Sequence, residues 1–337
     1  MKISRQTIIL LILAAVFYAL VKCLQLTGVL SQYWQLVLDQ ALVTVIGALG
    51  LSLIYGFTGQ FSLGHAAFYG LGAYTAGVID KVYGNGSILF FFISILAGAL
   101  LAGLVALIIG LPILRLRSDY LGIATLGFGI IVRVGMENAN KVIPVLGGAT
   151  GMSGTPQTAN FDLIFVLVLV VILLVRNFIF STYGRACTSI REDEIAADLM
   201  GIDTTRYKVL SFVLGCALAG LAGGIYAHRY PFLHPASFDF LKSFDFLLIV
   251  VLGGLGSMTG TIFTAIGWGF LLEVLRAVLG ENFIDWRGVI YALILIVAII
   301  LRPQGLFSGK ELGLLLPRPL PLTTTSGKER THAGTGN

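Results

Sequence analysis

The chain has 337 residues, 57% hydrophobic and only 12% charged, with a formal net charge of +5. A soluble domain carries about 25% charged residues, and each charge costs about 2.5–3.5 kcal/mol at a bilayer centre. The composition therefore excludes an ordinary soluble globule, and the basic excess is read as a product of membrane topology, with no nucleic-acid partner.

A spanning helix needs about 20 apolar residues. Apolar blocks run near 8–30, 36–55, 62–79, 88–114, 120–136, 161–180, 209–230, 244–256, 261–279 and 288–301. They predict an all-α, polytopic membrane protein with about ten transmembrane helices. The blocks 120–136, 244–256 and 288–301 are short, which leaves re-entrant or merged segments open. Residues 1–20 have the outline of a signal peptide, with Lys2 and Arg5 before an apolar run. No small-x-small cleavage site follows, so this reads as an uncleaved first span.

Residues 55–77 hold six glycines among Ala, Ser and Thr. Small residues let membrane helices approach closely, and Gly220-x-x-x-Gly224 and Gly256-x-x-x-Gly260 repeat the theme. Gln60, Ser62 and His65 are the polar exceptions and should face the bundle interior. Gly253 and Gly254 look like a helix break, tolerable inside a bundle or beside water. These five residues are candidates for lining a path, and tight packing is the alternative. Arg133, Glu137, Glu273 and Arg276 lie near span ends, where long side chains snorkel.

Residues 137–160 read as an irregular Gly- and Thr-rich loop. Asn85-Gly86-Ser87 matches a glycosylation sequon, relevant only in a eukaryotic secretory context.

Residues 182–208 are a charged island holding nine of the 39 charged residues. Ser189 and Glu192 have capping-box spacing, and Glu192, Asp193 and Glu194 would load a first turn with negative charge. Gly201 suits a left-handed C-cap, so a helix over about 190–200 is expected. Ile195, Ala196, Leu199 and Met200 would share its apolar face. A three-turn helix is marginal alone, so that face needs a partner: a cytosolic protein, or the chain's own span ends. Asp203 or Thr204 would cap the next helix.

Residues 1–305 thus form one transmembrane domain carrying the loop 182–208, and 306–337, rich in Pro, Thr and Ser, should be a disordered tail. With the N-terminus inside, 13 Lys and Arg fall on inner segments and five on outer ones. This places both termini and the island in the cytoplasm.

Cys23, Cys187 and Cys216 and the four His show no metal-ligand spacing. There is no Gly-x-x-x-x-Gly-Lys-[Ser/Thr] and no nucleophile–base arrangement. The chain is therefore read as no enzyme and as carrying no cofactor; any ATP must be bound by another chain.

Four stretches carry a family resemblance. The run 55–76, the run 118–129 beginning Ser-Asp-Tyr-Leu-Gly, the run 184–197 with Ile-Arg-Glu-Asp-Glu-Ile-Ala-Ala, and Val-Val-Leu-Gly-Gly-Leu-Gly-Ser at 250–257 resemble LivM-type permeases. Those are inner-membrane subunits of branched-chain amino acid ABC importers in bacteria. The resemblance implies a partner set of ABC ATPase subunits, a second LivH-type permease and an extracytoplasmic substrate-binding protein. It also implies a Glu-Ala-Ala-x-x-x-Gly coupling loop that docks on the ATPase. Ala196, Ala197 and Gly201 fit that pattern, while its Glu position is Ile195, leaving Glu192 and Glu194 as the candidate carboxylates. Family members also serve urea and short amides. An ion-coupled secondary transporter would need paired intramembrane carboxylates, which look nearly absent. A non-transport scaffold gives no reason for a capped helix between spans.

Overall fold

The computed structural model describes residues 5–28, 30–84, 86–114, 118–280, 283–301 and 305–307. Asn85 of the sequon, Lys2, Arg115, Arg117, Arg302 and the tail 308–337 lie outside the described residues.

The described residues are almost wholly helical. Ten helices match the ten apolar blocks in order: α1 (Arg5–Leu26), α2 (Gln32–Leu51), α3 (His65–Ile79), α4 (Ile88–Ile113), α5 (Ser118–Glu137), α6 (Phe161–Phe180), then α9 (Thr204–Arg229), α10 (Phe240–Gly253), α11 (Met258–Leu279) and α12 (Phe283–Leu301). The island supplies α7 (Thr182–Glu192) and α8 (Glu194–Leu199). Among the described residues, six helices are long and apolar enough to cross a bilayer, among them Gln32–Phe57, where α2 continues through a wide π-helical turn. The 14 residues of α10 span only about 21 Å, short of a bilayer core of about 30 Å.

Small residues set the packing. The long helix α9 lies along α2, α3 and α4. At the crossing of α3, α4 and α9, a Cβ on Gly98 would sit 2.7 Å from Gly72 O, and one on Gly220 2.5 Å from Ala102 Cβ. Any side chain there would force the helices apart, so contact between backbones replaces the hydrophobic drive that lipid cannot supply.

The connections fall at two ends. At one end, β1 (Met152–Ser153) in the 138–160 loop pairs antiparallel with β2 (Phe232–Leu233), and Lys81 Nζ donates to Ser153 O at 2.7 Å. At the other end lie α7, α8, the 58–64 loop and the 254–257 turn.

Buried carboxylates are more numerous than the sequence suggested. Asp39, Asp80 and Asp245 are all buried. Each faces a cation or histidine of the same chain: Arg229 at 2.7 Å, His228 at 3.3 Å and Lys242 at 3.6 Å. Pairing keeps the burial cost tolerable.

Candidate functional site

The island folds as two helices, not one over 190–200. Ser181 follows the apolar run of α6 and caps α7, its Oγ accepting from the amides of Tyr183 and Gly184. Ser189 is therefore interior to α7; its hydroxyl donates to Arg185 O at 3.1 Å and closes no capping box. Asp193 adopts extended backbone and starts α8, accepting from the amides of Ile195 and Ala196 at 2.9 and 3.0 Å. Asp193 had a visible signal, being an Asp two residues before the apolar pair Ile195-Ala196, but Ser189 offered the competing box.

The end of α8 is as expected. Gly201 has φ 84°, its amide donates to Asp198 O, and the amide of Ile202 reaches back to Ala197 O. This pair of bonds is a Schellman ending. Asp203 then caps α9 through the Arg206 amide.

Both flanks of α8 are thus fixed, yet its outer face is left open among the described residues. Ile195 is 75% exposed and Leu199 and Met200 are each 83% exposed, with Ala196 exposed beside them. Ala197 points the other way and is 4% exposed. Of the two alanines of the family pattern, only Ala196 is on the open surface. Glu194 pairs with Lys208 across to α9, and Glu192 pairs with its neighbour Arg191. The Arg191 guanidinium holds the Glu192 carboxyl below its ordinary pKa.

The island is tied to the foot of the bundle at two points. Arg191 Nη1 donates to Gly56 O at 2.8 Å, in the last turns of the α2 rod, and its stem lies against Gly59. The carbonyl of Lys208 accepts from Gln60 Nε2 at 3.0 Å, and Gln60 also donates to Ser211 Oγ. The 58–64 loop is thereby held between α7, α9 and the interior. Its far end is fixed by Thr125 Oγ1, which accepts from the Leu63 amide at 3.0 Å.

The five path candidates sit inside helix packing. Gln60, Ser62 and His65 are 3%, 1% and 0% exposed, and His65 Nε2 lies 2.8 Å from Gly47 O. Gly253 and Gly254 are buried at the turn between α10 and α11, where Phe307 N donates to Gly253 O. None of the five lines the open cleft beside α5, which is bounded by Leu63, Leu126, Ile130, Arg133, Glu137 and Asp239. Arg133 does more than snorkel there: its Nε donates to Glu137 at 3.0 Å and its Nη1 lies 3.8 Å from Asp239.

The family model described as "Branched-chain amino acid transport system / permease component" matches residues 34–299. The chain belongs to this permease family. The permease is 34% identical over 299 residues to the high-affinity branched-chain amino acid transport system permease protein LivM of Salmonella typhimurium and to its namesake in Escherichia coli K12. Each match covers 79% of this chain and 68% of the relative. It is 28% identical over 287 residues to BraD of Pseudomonas aeruginosa, a permease protein of the same named system, covering 78% of this chain and 91% of that one. No solved structure matches the chain. The helical, multi-pass architecture and the LivM resemblance of the four sequence stretches agree with that membership.

Proposed function

We propose that this permease is one of two membrane subunits of an ATP-driven importer of branched-chain amino acids. It sits in a bacterial inner membrane with both termini in the cytoplasm and forms half of the path. A LivH-type permease supplies the other half, ABC ATPase subunits bind the ATP, and an extracytoplasmic binding protein delivers the substrate. The reading is carried by one observation: α8 is rigidly capped at both ends while Ile195, Leu199 and Met200 stay uncovered. Burying such a side chain gains about 1.5–3 kcal/mol, so a cleft on an ATPase that took all three would hold the helix firmly. The two ties, one from the island to Gly56 in the last turns of the α2 rod and one to Gln60 in the 58–64 loop, give a short route by which movement of the ATPase reaches the membrane domain.

The test is substitution of the open face. Leu199→Asp and Met200→Asp should leave the amount of permease in the membrane unchanged, because neither side chain touches the fold. Both should lose the ATPase on purification and lose uptake of labelled leucine. Retention of the ATPase at the unmodified level would reject α8 as the docking element, and uptake of labelled urea in place of leucine would reject the amino-acid substrate.

A further inference from the structure

The cleft beside α5 has a chemistry that neither docking nor packing uses. One face of α5 lines it, through residues 126, 129, 130, 133, 134 and 137, all at helical spacing. It measures about 270 Å³, just under the roughly 300–1,000 Å³ of pockets for drug-sized ligands, so it suits a smaller solute. Glu137 ends α5 and Leu126 lies eleven residues earlier, so the cleft descends about 16 Å along the helix, roughly half a bilayer core. Its charged end, at Glu137, lies at the end of the bundle away from α8.

The polarity is graded along that depth. Arg133, Glu137 and Asp239 gather towards the C-terminal end of α5, and Leu63, Leu126 and Ile130 line the part nearer its middle, where Ile130 is itself 53% exposed. Arg133, Glu137 and Asp239 are all partly exposed, with side chains 39%, 34% and 25% accessible. A guanidinium has five N–H donors, more than the contacts to Glu137 and Asp239 use. The two carboxylates outnumber the one cation, leaving a net negative charge. An α-amino acid zwitterion answers both features. Its carboxylate can take the remaining guanidinium donors, and its ammonium can take the carboxylate excess. It brings no net charge into an apolar-walled cleft, where charge pairs act more strongly than in water. Urea, with neither charge, would leave the cluster unanswered.

We propose that this cleft is the entry station for the substrate of the permease, an aliphatic α-amino acid. Its head group is held by Arg133, Glu137 and Asp239, and its side chain lies on Leu126 and Ile130. The inference rests on the amino-acid import proposed above. It also gives the island a target. The Leu63 end of the 58–64 loop lines the cleft, and the Gln60 end is bonded to Lys208. Movement of the island would be passed through Lys208 and the 58–64 loop to Leu63 in the cleft wall.

Cysteine protection tests it in membranes carrying the assembled transporter. Ile130→Cys is placed in a Cys23→Ser background, because Cys23 is exposed while Cys187 and Cys216 are buried. Millimolar L-leucine should slow modification of the new thiol severalfold. Leucinol, which lacks the carboxylate, and 4-methylpentanoate, which lacks the amine, should not. Arg133→Gln should abolish the protection and lower leucine uptake about tenfold, the loss expected for one charge-assisted contact. Equal labelling with and without leucine, in a transporter that still imports leucine, would overturn the site and leave the import reading standing. Equal protection by leucinol would overturn the head-group assignment. Absence of leucine uptake by the unmodified transporter would instead defeat the import reading. Gly129→Leu gives a second measurement that does not depend on the thiol. A Cβ there meets only Gly64 Cα at 3.8 Å, so the residue fits and fills the cleft. It should cut leucine uptake at normal membrane abundance, and an unchanged rate would also overturn the site.

Discussion

Arg191 donates from Nη1 to the carbonyl oxygen of Gly56 at 2.8 Å, joining a helix outside the bundle to the last turns of the α2 rod. Gly56 in turn abuts the turn between α10 and α11, since a Cβ on it would lie 3.1 Å from the amide nitrogen of Gly256. One guanidinium therefore sits where the island and two span connections converge. Helix ends leave carbonyls without intrahelical partners, and here a side chain from another element supplies the donor.

Arg191→Ala should separate docking from transmission. It removes the donor to Gly56 and leaves Ile195, Leu199 and Met200 on the open face of α8. The ATPase should still copurify, while ATP hydrolysis should continue without matching leucine uptake. Arg191→Lys should restore coupling in part, because an ammonium can reach one carbonyl but cannot also fork to Glu192. Uptake and hydrolysis that stay in the wild-type ratio in the alanine variant would show that this contact transmits nothing.

Gly201 offers a test of local geometry alone. Its φ is 84°, and a Cβ at this position would meet no atom within 4 Å. Substitution therefore costs only backbone strain, about 1–3 kcal/mol for a residue that resists positive φ. Gly201→Val should weaken the ATPase interaction by loosening the C-cap of α8. Gly201→Asn should stay near the unmodified level, because Asn tolerates that region. Equal behaviour of the two variants would remove the Schellman ending from the account.

Helix order and type were legible because apolar run length reports directly on a bilayer. The ten blocks reappear as ten helices, and Gly201 and Asp203 act as their residue types suggested. What failed was competition between neighbouring signals. Ser189 and Asp193 both suit an N-cap, and the choice was decided by Ser181, which starts α7 early enough to place Ser189 inside it. The polar residues singled out for a path are bonded within the fold. Gln60 and His65 are polar because they bond Lys208 O and Gly47 O across helices. Arg133 and Glu137 were visible as charges, but their meeting with Asp239 joins residues about a hundred positions apart, which no local pattern encodes.

The inward alanine of α8 distinguishes docking from folding. Ala197 is 4% exposed, so Ala197→Arg would press a long cation into the chain's own packing. It should lower the amount of permease in the membrane by overpacking. Leu199→Asp should instead spare abundance and lose the partner. Normal expression of Ala197→Arg with selective loss of the ATPase would place this residue on the docking surface and reverse the orientation of α8.

Orientation can be read by labelling because the fold separates the two ends. Thr150 is exposed in the 138–160 loop beside β1, and Thr205 is exposed in the first turn of α9 beside α8. Sequence counting put 13 cations on the α8 side and five on the other. Assigning the span-end residues moves Arg176 to the α8 side and Lys22, Arg133 and Arg276 to the Thr150 side, giving 14 and eight. The bias narrows but keeps its sign. Several of the Thr150-side cations are also matched by carboxylates, among them Lys22 with Asp162 and Arg276 with Glu273. Since acidic residues contribute little to the orientation rule, the excess still points the α8 end to the cytoplasm. In a Cys23→Ser background, an impermeant thiol reagent should modify Thr150→Cys in intact cells and should reach Thr205→Cys only after the membrane is opened. Modification of Thr205→Cys from outside would invert the permease and leave α8 facing away from any cytosolic ATPase.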